Sequence, residues 1–396
     1  MVHSNKSILI KRIVAALLAF VLVFALASCK DNKKPSESST PITPSEKKVA
    51  ILVAPESQYP EDYRAAAELA AEYPEKIVIK EYSDSRILKA GNPEIMTISE
   101  ELAADPEIGA IVFARATQFT TNAISAAKAK NPEIVTVCVE PEESVEKISS
   151  LANLVFCVDW VKAANDIVAT AKAQGAKSFV VFSINRHITD NPLLSGANAA
   201  FKAACEAEGI SYIYENSLDP IYSTGIEGSR KFIKEAVARL YNNGDIDGSD
   251  VALFSTDSAA QKALVEVANS KGLIYICPSF PTAYNGLGEV YEASAPEKAS
   301  DVAAYIESIK AAVSADGEGK GKFASYKFPL ASTLLRSALY CSFDILNGTM
   351  TAENQAELAS SRATDAADSK NFTVTAYSEN LKNVFAAYCT GFEVIK

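Results

Sequence analysis

The sequence predicts an α/β fold made of two lobes, each a parallel sheet flanked by helices. Short apolar runs of strand length alternate with longer segments in which apolar residues recur at helical spacing. Apolar runs without polar alternation indicate strands buried on both faces, which is typical of parallel sheets with crossover helices. Because the alternation continues to about residue 159 and then starts again, we expect two lobes.

The first series of elements predicts an N-terminal lobe over residues 49–159. Its helices are expected where Ala and Tyr recur every three or four positions, at residues 60–73 and 117–130. Its strands are expected at residues 49–53, 77–82, 108–114, 134–139 and 152–158.

The second series predicts a C-terminal lobe over residues 160–281. Helices are expected at residues 160–174, 192–208, 225–243 and 258–270, and strands at residues 178–184, 212–215, 251–256 and 273–277. Gly175, Gly209 and Gly244 directly follow three of these helices, and glycine readily adopts the left-handed conformation that ends a helix.

Residues 282–396 are less regular, and we expect them to supply hinge crossings and elements added back to both lobes. Helices are predicted at residues 296–315 and 329–347, separated by a Gly- and Lys-rich loop at 316–322. The polar, Ala-rich segment 351–370 is expected to be an exposed helix or loop. Residues 372–396 are expected to return one strand and one helix to a lobe.

The first 28 residues have the features of an export signal. They contain Lys6, Lys11 and Arg12 and no acidic residue, followed by an apolar run over residues 13–27. This run is shorter than the roughly 20 residues that span a bilayer and suits the core of a signal peptide. The run ends in Leu-Ala-Ser before Cys29, the pattern at which a lipoprotein signal is cleaved and the cysteine is lipidated. The alternative is an uncleaved anchor helix in which this cysteine is incidental.

Residues 29–48 are predicted to form the lipidated cysteine and a flexible spacer. They contain Pro35, Pro41 and Pro44 with several Ser and Thr, a composition that stays extended and solvated. We therefore expect a protein that is anchored by lipid to the cell membrane, on its extracytoplasmic face.

Charge and histidine content exclude several classes of function. Without residues 1–28 the chain loses three of its 38 basic residues, so 35 basic residues face 49 acidic ones, a net charge of −14. Nucleic acid is therefore not expected as a partner, since it requires clustered Lys and Arg. Only His187 remains after residue 28, so we expect no His-based catalytic triad, no metal site and no cofactor.

The other six cysteines are expected to be buried small hydrophobic residues. They lie far apart, and none forms a C-x-x-C pair. One disulfide is possible in an exported protein, but the sequence alone does not select the pair. They are Cys138, Cys157, Cys205, Cys277, Cys341 and Cys389.

Polar and aromatic residues follow the carboxyl ends of the predicted strands, which is where open α/β sheets bind ligands. Their carboxylate, amide and guanidinium groups would bond to hydroxyls or carboxylates, and their rings would stack on a sugar or base. We therefore predict a cleft for a small polar molecule. The candidate ligand-binding residues are Tyr59, Arg115 and Thr117 from the N-terminal lobe, Asp159 and Trp160 at the crossover, and Asn185, Arg186, Asp257 and Ser279 from the C-terminal lobe.

Several of these residues also have plainer interpretations. Trp160 opens an apolar helical face and could pack in the core, while Asp159 could cap the helix that follows it. Arg115 and Asp257 could be solvated loop charges or an ion pair between the lobes. His187 is expected on a surface loop.

The chain resembles proteins of the type I periplasmic-binding-protein fold. The resemblance rests on the lipidation pattern, the opening strand, the change of lobe near Asp159 and Trp160, and the strand end Ser255-Thr256-Asp257. It implies two Rossmann-like lobes that are joined by a multi-crossing hinge and close on a small molecule. More narrowly, the chain is similar to an uncharacterised family of bacterial lipoproteins in that superfamily.

These observations predict a tethered, non-enzymatic binding protein. The leading hypothesis is a solute-binding lipoprotein that captures a small polar molecule, such as a sugar, a nucleoside or an amino acid, for a membrane transporter. The alternative is a sensor that passes its bound state to a membrane receptor. A glycosidase that uses paired carboxylates is a third hypothesis, although no motif places two acids together.

Overall fold

The computed structural model describes residues 41–83, 93–221, 225–317, 320–367 and 369–395. The predicted signal peptide, Cys29 and residues 30–40 of the spacer lie outside the described residues. The folded part begins slightly earlier than residue 49, because Ser45 is buried and Lys48 already belongs to the first strand. Within the described ranges, no helix combines the length and the hydropathy needed to cross a membrane.

The strands are four to nine residues long, and inner ones such as Ile108–Phe113 and Leu154–Val158 are apolar and buried. In the described residues they are Lys48–Val53 (β1), Ile77–Glu81 (β2), Ile108–Phe113 (β3), Val135–Val139 (β4), Leu154–Val158 (β5), Ser178–Ile184 (β6), Ser211–Ser217 (β7), Val251–Ser255 (β8), Ile274–Cys277 (β9), Lys322–Tyr326 (β10), Phe372–Ser378 (β11), Leu381–Cys389 (β12) and Phe392–Ile395 (β13).

Helices connect most of these strands, as the crossovers of a parallel sheet require. They are Pro60–Glu72 (α1), Pro93–Ala104 (α2), Thr120–Lys130 (α3), Val145–Ser149 (α4), Trp160–Ala173 (α5), Asn185–Thr189 (α6), Pro192–Glu208 (α7), Gly225–Asn243 (α8), Gln261–Lys271 (α9), Leu287–Tyr291 (α10), Val302–Asp316 (α11), Leu330–Leu346 (α12) and Gln355–Ala367 (α13). A short 3₁₀ turn, Ser258–Ala260, precedes α9.

The strands form two sheets, which confirms the predicted two-lobed α/β fold. The N-terminal lobe has seven strands in the order β11-β12-β5-β4-β3-β1-β2, and the C-terminal lobe has six in the order β13-β10-β9-β8-β6-β7. Both sheets are parallel except at one edge, where β11 pairs antiparallel with β12 and β13 pairs antiparallel with β10. The sheets are therefore mixed rather than purely parallel.

In the part of the chain that the structure describes, the backbone passes between the sheets at three places. The first lies between β5 and α5, the second between β10 and α12, and the third between β12 and β13. Asp166 on α5 links the first crossing to the third, because its Oδ2 accepts hydrogen bonds from Tyr388 Oη at 3.2 Å and from the Gly391 amide at 2.9 Å. Tyr326, at the second crossing, stacks on Tyr388 with ring centroids 5.4 Å apart.

The C-terminal third differs from the sequence-based expectation in several elements, and β10 and α10 were not predicted at all. Residues 372–395 form three strands and no helix, so the expected strand-plus-helix return is wrong. Helix α11 begins at Val302 rather than near residue 296, because the side chain of Asp301 accepts a hydrogen bond from the Ala304 amide and caps the helix there.

The segment expected to be exposed at residues 351–370 contains a helix with a buried face. Ala359, Ala363 and Arg362 on α13 are fully buried. Arg362 donates from Nε and Nη2 to the two carboxylate oxygens of Asp344 on α12, at 2.5 and 3.0 Å. This bidentate pair explains how a charged residue is tolerated in the core of the N-terminal lobe.

The six cysteines of the described chain are all buried and free, which confirms their interpretation as small core residues.

Removing the carboxylate of Asp344 should destabilise the protein strongly. The Asp344→Ala variant leaves the guanidinium of Arg362 buried without its bidentate partner, and breaking such a buried pair typically costs about 3–5 kcal/mol. Urea unfolding should show this loss in the free energy of unfolding. The double variant Asp344→Leu/Arg362→Met should recover most of it, and an Asp344→Ala protein as stable as the parent would contradict the assignment.

Candidate functional site

A cavity lies between the two lobes, at the carboxyl ends of the strands of both sheets. Its volume is about 70 Å³, enough for a few water molecules, so a solute of sugar size requires the lobes to separate before it can enter. Loops after β1, β3, β4, β6, β8 and β9 contribute side chains. The lining residues are Gln58, Tyr59, Arg115, Gln118, Phe119, Glu140, Pro141, Glu142, Trp160, Arg186, His187, Leu194, Pro220, Ile221, Thr256, Asp257, Ser258, Phe280 and Pro281.

The side chain of Arg115 lies in one wall of the cavity. Its guanidinium carbon lies 4.3 Å from the ring centroid of Tyr59 and 4.2 Å from that of Phe280, so the cation is placed between two aromatic rings. Tyr59 belongs to the N-terminal lobe and Phe280 to the C-terminal lobe. The same side chain therefore lines the cavity and joins the lobes.

Asp62 on α1 neutralises the charge of Arg115 through an ion pair within the N-terminal lobe. Arg115 Nε donates to Asp62 Oδ2 at 3.0 Å, and both side chains are buried. Burial alone would lower the pKa of Arg115, but Asp62 and the nearby carboxylates outweigh it and the pKa is raised. Arg115 is therefore a permanently charged, internally paired group.

Glu140 is a cavity residue that the sequence-based reasoning missed. Its Oε2 accepts from the Val158 amide at 2.8 Å and its Oε1 from Trp160 Nε1 at 3.1 Å. Burial raises its pKa, while Arg115 and these two donors oppose the shift. Its backbone φ of +43° is uncommon for a residue with a side chain. The strand-end rule could have found it, since Glu140 directly follows a predicted strand.

At the first crossing, Trp160 packs in the core and Asp159 caps a helix, as their plainer interpretations predicted. Trp160 is only 5% exposed and packs in the core, yet its ring also lines the cavity. Asp159 is the N-cap of α5, because its side chain accepts from the Lys162 amide at 3.1 Å. It does not line the cavity.

Arg186 provides the cation of the opposite wall. It donates to both carboxylate oxygens of Asp219, at 2.9 and 3.3 Å, and its Nη1 lies 3.6 Å from Glu142 Oε2. Tyr59 Oη donates to the other oxygen of Glu142 at 2.7 Å. A continuous polar chain therefore runs from Tyr59 in the N-terminal lobe to Asp219 in the C-terminal lobe.

His187 is buried in the cavity wall, so its expected place on a surface loop is wrong. Its Nδ1 lies 2.9 Å from Thr256 Oγ1, which is in turn 2.7 Å from Ser183 Oγ. Burial, with a smaller effect from Arg186, holds the pKa of His187 well below its usual value. The imidazole is therefore neutral at pH 7.

Two buried asparagines fasten the lobes together at the cavity edge. Asn191 Nδ2 donates to the Pro141 carbonyl at 3.0 Å, and Asn285 Nδ2 donates to the Gln58 carbonyl at 2.9 Å. In both cases the side chain comes from the C-terminal lobe and the carbonyl from a cavity loop of the N-terminal lobe. The described conformation is therefore closed.

Five of the nine predicted ligand-binding residues line the cavity, namely Tyr59, Arg115, Trp160, Arg186 and Asp257. The other four, Asp159, Thr117, Asn185 and Ser279, do not line it. Thr117 is fully buried beneath the cavity wall, and Asn185 is exposed at the start of α6. Ser279 lines a smaller neighbouring cavity of about 10 Å³, together with Glu61.

Within the described ranges, no three His, Cys, Asp or Glu side chains are grouped so that they could hold a metal ion.

Comparison with known proteins gives a family and a fold. A family model described as "Protein of unknown function (DUF3798)" matches residues 47–324. An uncharacterised protein of Treponema pallidum (strain Nichols) is 26% identical over 164 residues, which are 41% of this chain and 74% of that protein.

Two solved structures are similar over most of the chain. A candidate transcriptional regulator from Clostridium difficile 630 has a TM-score of 0.65 at 18% identity, covering 89% of this chain and 100% of its own. An ABC transporter solute binding protein from Agrobacterium vitis, solved with bound allitol, has a TM-score of 0.50 at 12% identity, covering 76% and 90%. These similarities confirm the type I periplasmic-binding-protein fold.

Glu61, which precedes Asp62 on α1, should make stability depend on pH. Burial, with a smaller effect from Asp62, raises the pKa of Glu61 to about 8. The folded protein keeps this proton up to about pH 8, whereas the unfolded chain loses it near the ordinary glutamate value. The contribution of Glu61 to the free energy of unfolding is therefore fully present at low pH and is lost as the pH rises toward 8.

The Glu61→Gln variant should remove this part of the pH dependence. Urea unfolding between pH 5 and pH 8 should show a smaller decline in the free energy of unfolding than the parent protein shows. Glu101→Gln, on the exposed face of α2, is the control and should follow the parent. Equal slopes for the parent and Glu61→Gln would refute the prediction.

Proposed function

The chain belongs to the family described as "Protein of unknown function (DUF3798)", and from that premise we propose that it is a solute-binding protein whose lobes close on a small polar molecule. The observation that carries the proposal is the interlobe cavity. Polar and aromatic side chains from both lobes line it, and buried asparagine bonds close its edge. A pocket with these few placed polar groups suits binding.

Delivery to a membrane transporter is the second part of the proposal. It is supported by the similarity to the Agrobacterium vitis protein, an ABC transporter solute binding protein with bound allitol. Export and a lipid on Cys29 would hold the binding protein at the extracytoplasmic face of the membrane, where a permease can accept the solute.

The cavity also provides a natural reporter for solute binding. Trp160 is the only tryptophan of the chain and lines the cavity, where its indole N–H is bound to Glu140. A bound solute should therefore change its fluorescence. Titration with sugars, polyols, nucleosides, amino acids and cationic amines should give one class that changes the emission and also raises the melting temperature.

The double variant Trp160→Phe/Tyr214→Trp is the matched control for this titration. It moves the single tryptophan to β7, at an exposed position outside the cavity. The same solutes should then leave the fluorescence unchanged. If no class of solute alters either the fluorescence or the melting temperature of the parent protein, the solute-binding proposal is wrong.

The anchor can be tested separately by replacing Cys29. The Cys29→Ser variant lacks the thiol that would carry the lipid, so it should not incorporate labelled palmitate and should leave the membrane fraction. Cys205→Ser, which alters a buried core cysteine, should remain in the membrane fraction with its label. Retention of palmitate by Cys29→Ser would exclude this residue as the anchor.

A further inference from the structure

Acidic groups outnumber basic groups around the interlobe cavity. Among the described lining residues, Arg115 and Arg186 are the cations, and Glu140, Glu142 and Asp257 are the carboxylates. His187 adds no charge, because burial keeps its pKa well below its usual value. The lining therefore carries three acidic groups against two basic ones.

Both cations are already paired within the protein. Arg115 is bound to Asp62 at 3.0 Å, and Arg186 is bound to Asp219 through two hydrogen bonds of 2.9 and 3.3 Å. These two partner carboxylates bring the total around the site to five against two guanidinium groups. Both guanidinium groups of the described lining are therefore already paired with carboxylates, while Arg186 Nη1 is buried without a hydrogen-bond partner.

An anionic ligand would compete with these internal carboxylates for the two guanidinium groups. Asp62 is 2% exposed, so its release from Arg115 would leave a charge buried without a counter-ion, which is strongly unfavourable. Glu142 opposes the same exchange at Arg186, where its Oε2 lies 3.6 Å from Nη1. The excess of carboxylates around the described site therefore disfavours an acidic ligand.

A cationic group would instead meet an excess of carboxylates. Glu140 and Glu142 flank Pro141 in the loop after β4, and all three line the cavity. The rings of Tyr59 and Trp160 line it as well, and ring faces attract cations, as the placement of Arg115 between Tyr59 and Phe280 already demonstrates. Exclusion of water by the closed lobes strengthens these attractions.

Resting on the proposed solute-binding function, we propose that the solute carries a protonated amino group and no anionic group. The amino group is held by Glu140 and Glu142 against the ring faces of Tyr59 and Trp160. The two paired arginines serve to orient hydroxyl or carbonyl groups elsewhere on the solute.

The test separates charge class from binding itself. Dialysable small molecules from yeast extract are divided by ion exchange at neutral pH into cationic, neutral and anionic fractions, and each is added to the purified full-length protein. Only the cationic fraction should raise the melting temperature and change the fluorescence of Trp160. A response to the neutral or anionic fraction would overturn the charge class and leave solute binding intact. A response to none of them would overturn both proposals.

Variants of neighbouring glutamates then locate the recognition. Glu142→Gln keeps the size of the side chain and removes its charge, and it should raise the amount of cationic fraction needed for a half-maximal response about tenfold to a hundredfold, the usual effect of losing a hydrogen bond to a charged group. Glu142→Asp keeps the charge, so the amount of cationic fraction needed for a half-maximal response should rise less.

Glu143→Gln is the matched control on the same loop. Glu143 does not line the cavity, and its carboxylate accepts from the amide and Oγ1 of Thr121 at 2.8 and 2.9 Å. This variant should respond to the cationic fraction as the parent does. Equal responses from Glu142→Gln and Glu143→Gln, or from Glu142→Gln and Glu142→Asp, would show that the charge of Glu142 is not used.

Discussion

The cavity depends on the placement of one buried cation between the lobes. Arg115 is bound to Asp62 within the N-terminal lobe and covered by Phe280 of the C-terminal lobe at 4.2 Å. Without Asp62, burying this guanidinium would carry a large desolvation cost, and without Phe280 its second face would be exposed. Burial of Arg115 therefore requires both its carboxylate partner in the N-terminal lobe and the closure of the C-terminal lobe over its second face.

The sequence predicts the fold well because the physical signals of buried strands are local. Each apolar run, such as the one that becomes β3, is readable without its neighbours, and the glycines after α5, α7 and α8 mark helix ends. The strand-end rule also brought Arg115, Arg186 and Asp257 correctly to one cavity. Asn185 and Ser279 do not line this cavity, because the rule gives the edge of a sheet but not the direction of a side chain.

The remaining features depend on contacts between residues far apart in the chain. Arg362 looks like a solvated charge in a polar segment, and only its pairing with Asp344 on another helix explains its burial. The same applies to Asn191 and Asn285, whose partners are backbone carbonyls of the other lobe. Backbone acceptors have no sequence signature, so no pattern in the chain could have predicted these bonds.

The two lobes contribute differently to the cavity. In the N-terminal lobe, Glu140 connects the loop after β4 to Val158 of the same lobe and to Trp160 at the first crossing. The C-terminal lobe contributes Asn191, Asn285 and Phe280, whose contacts with the N-terminal lobe exist only when the lobes meet. The C-terminal wall also has bonds within its own lobe, from Arg186 to Asp219 and from His187 to Thr256. Both walls are therefore held from within, and closure adds the contacts between them. The affinity for a solute must then depend on how strongly these interlobe contacts favour the closed state. The free energy of solute binding has to supply only the part of the closing free energy that these contacts do not.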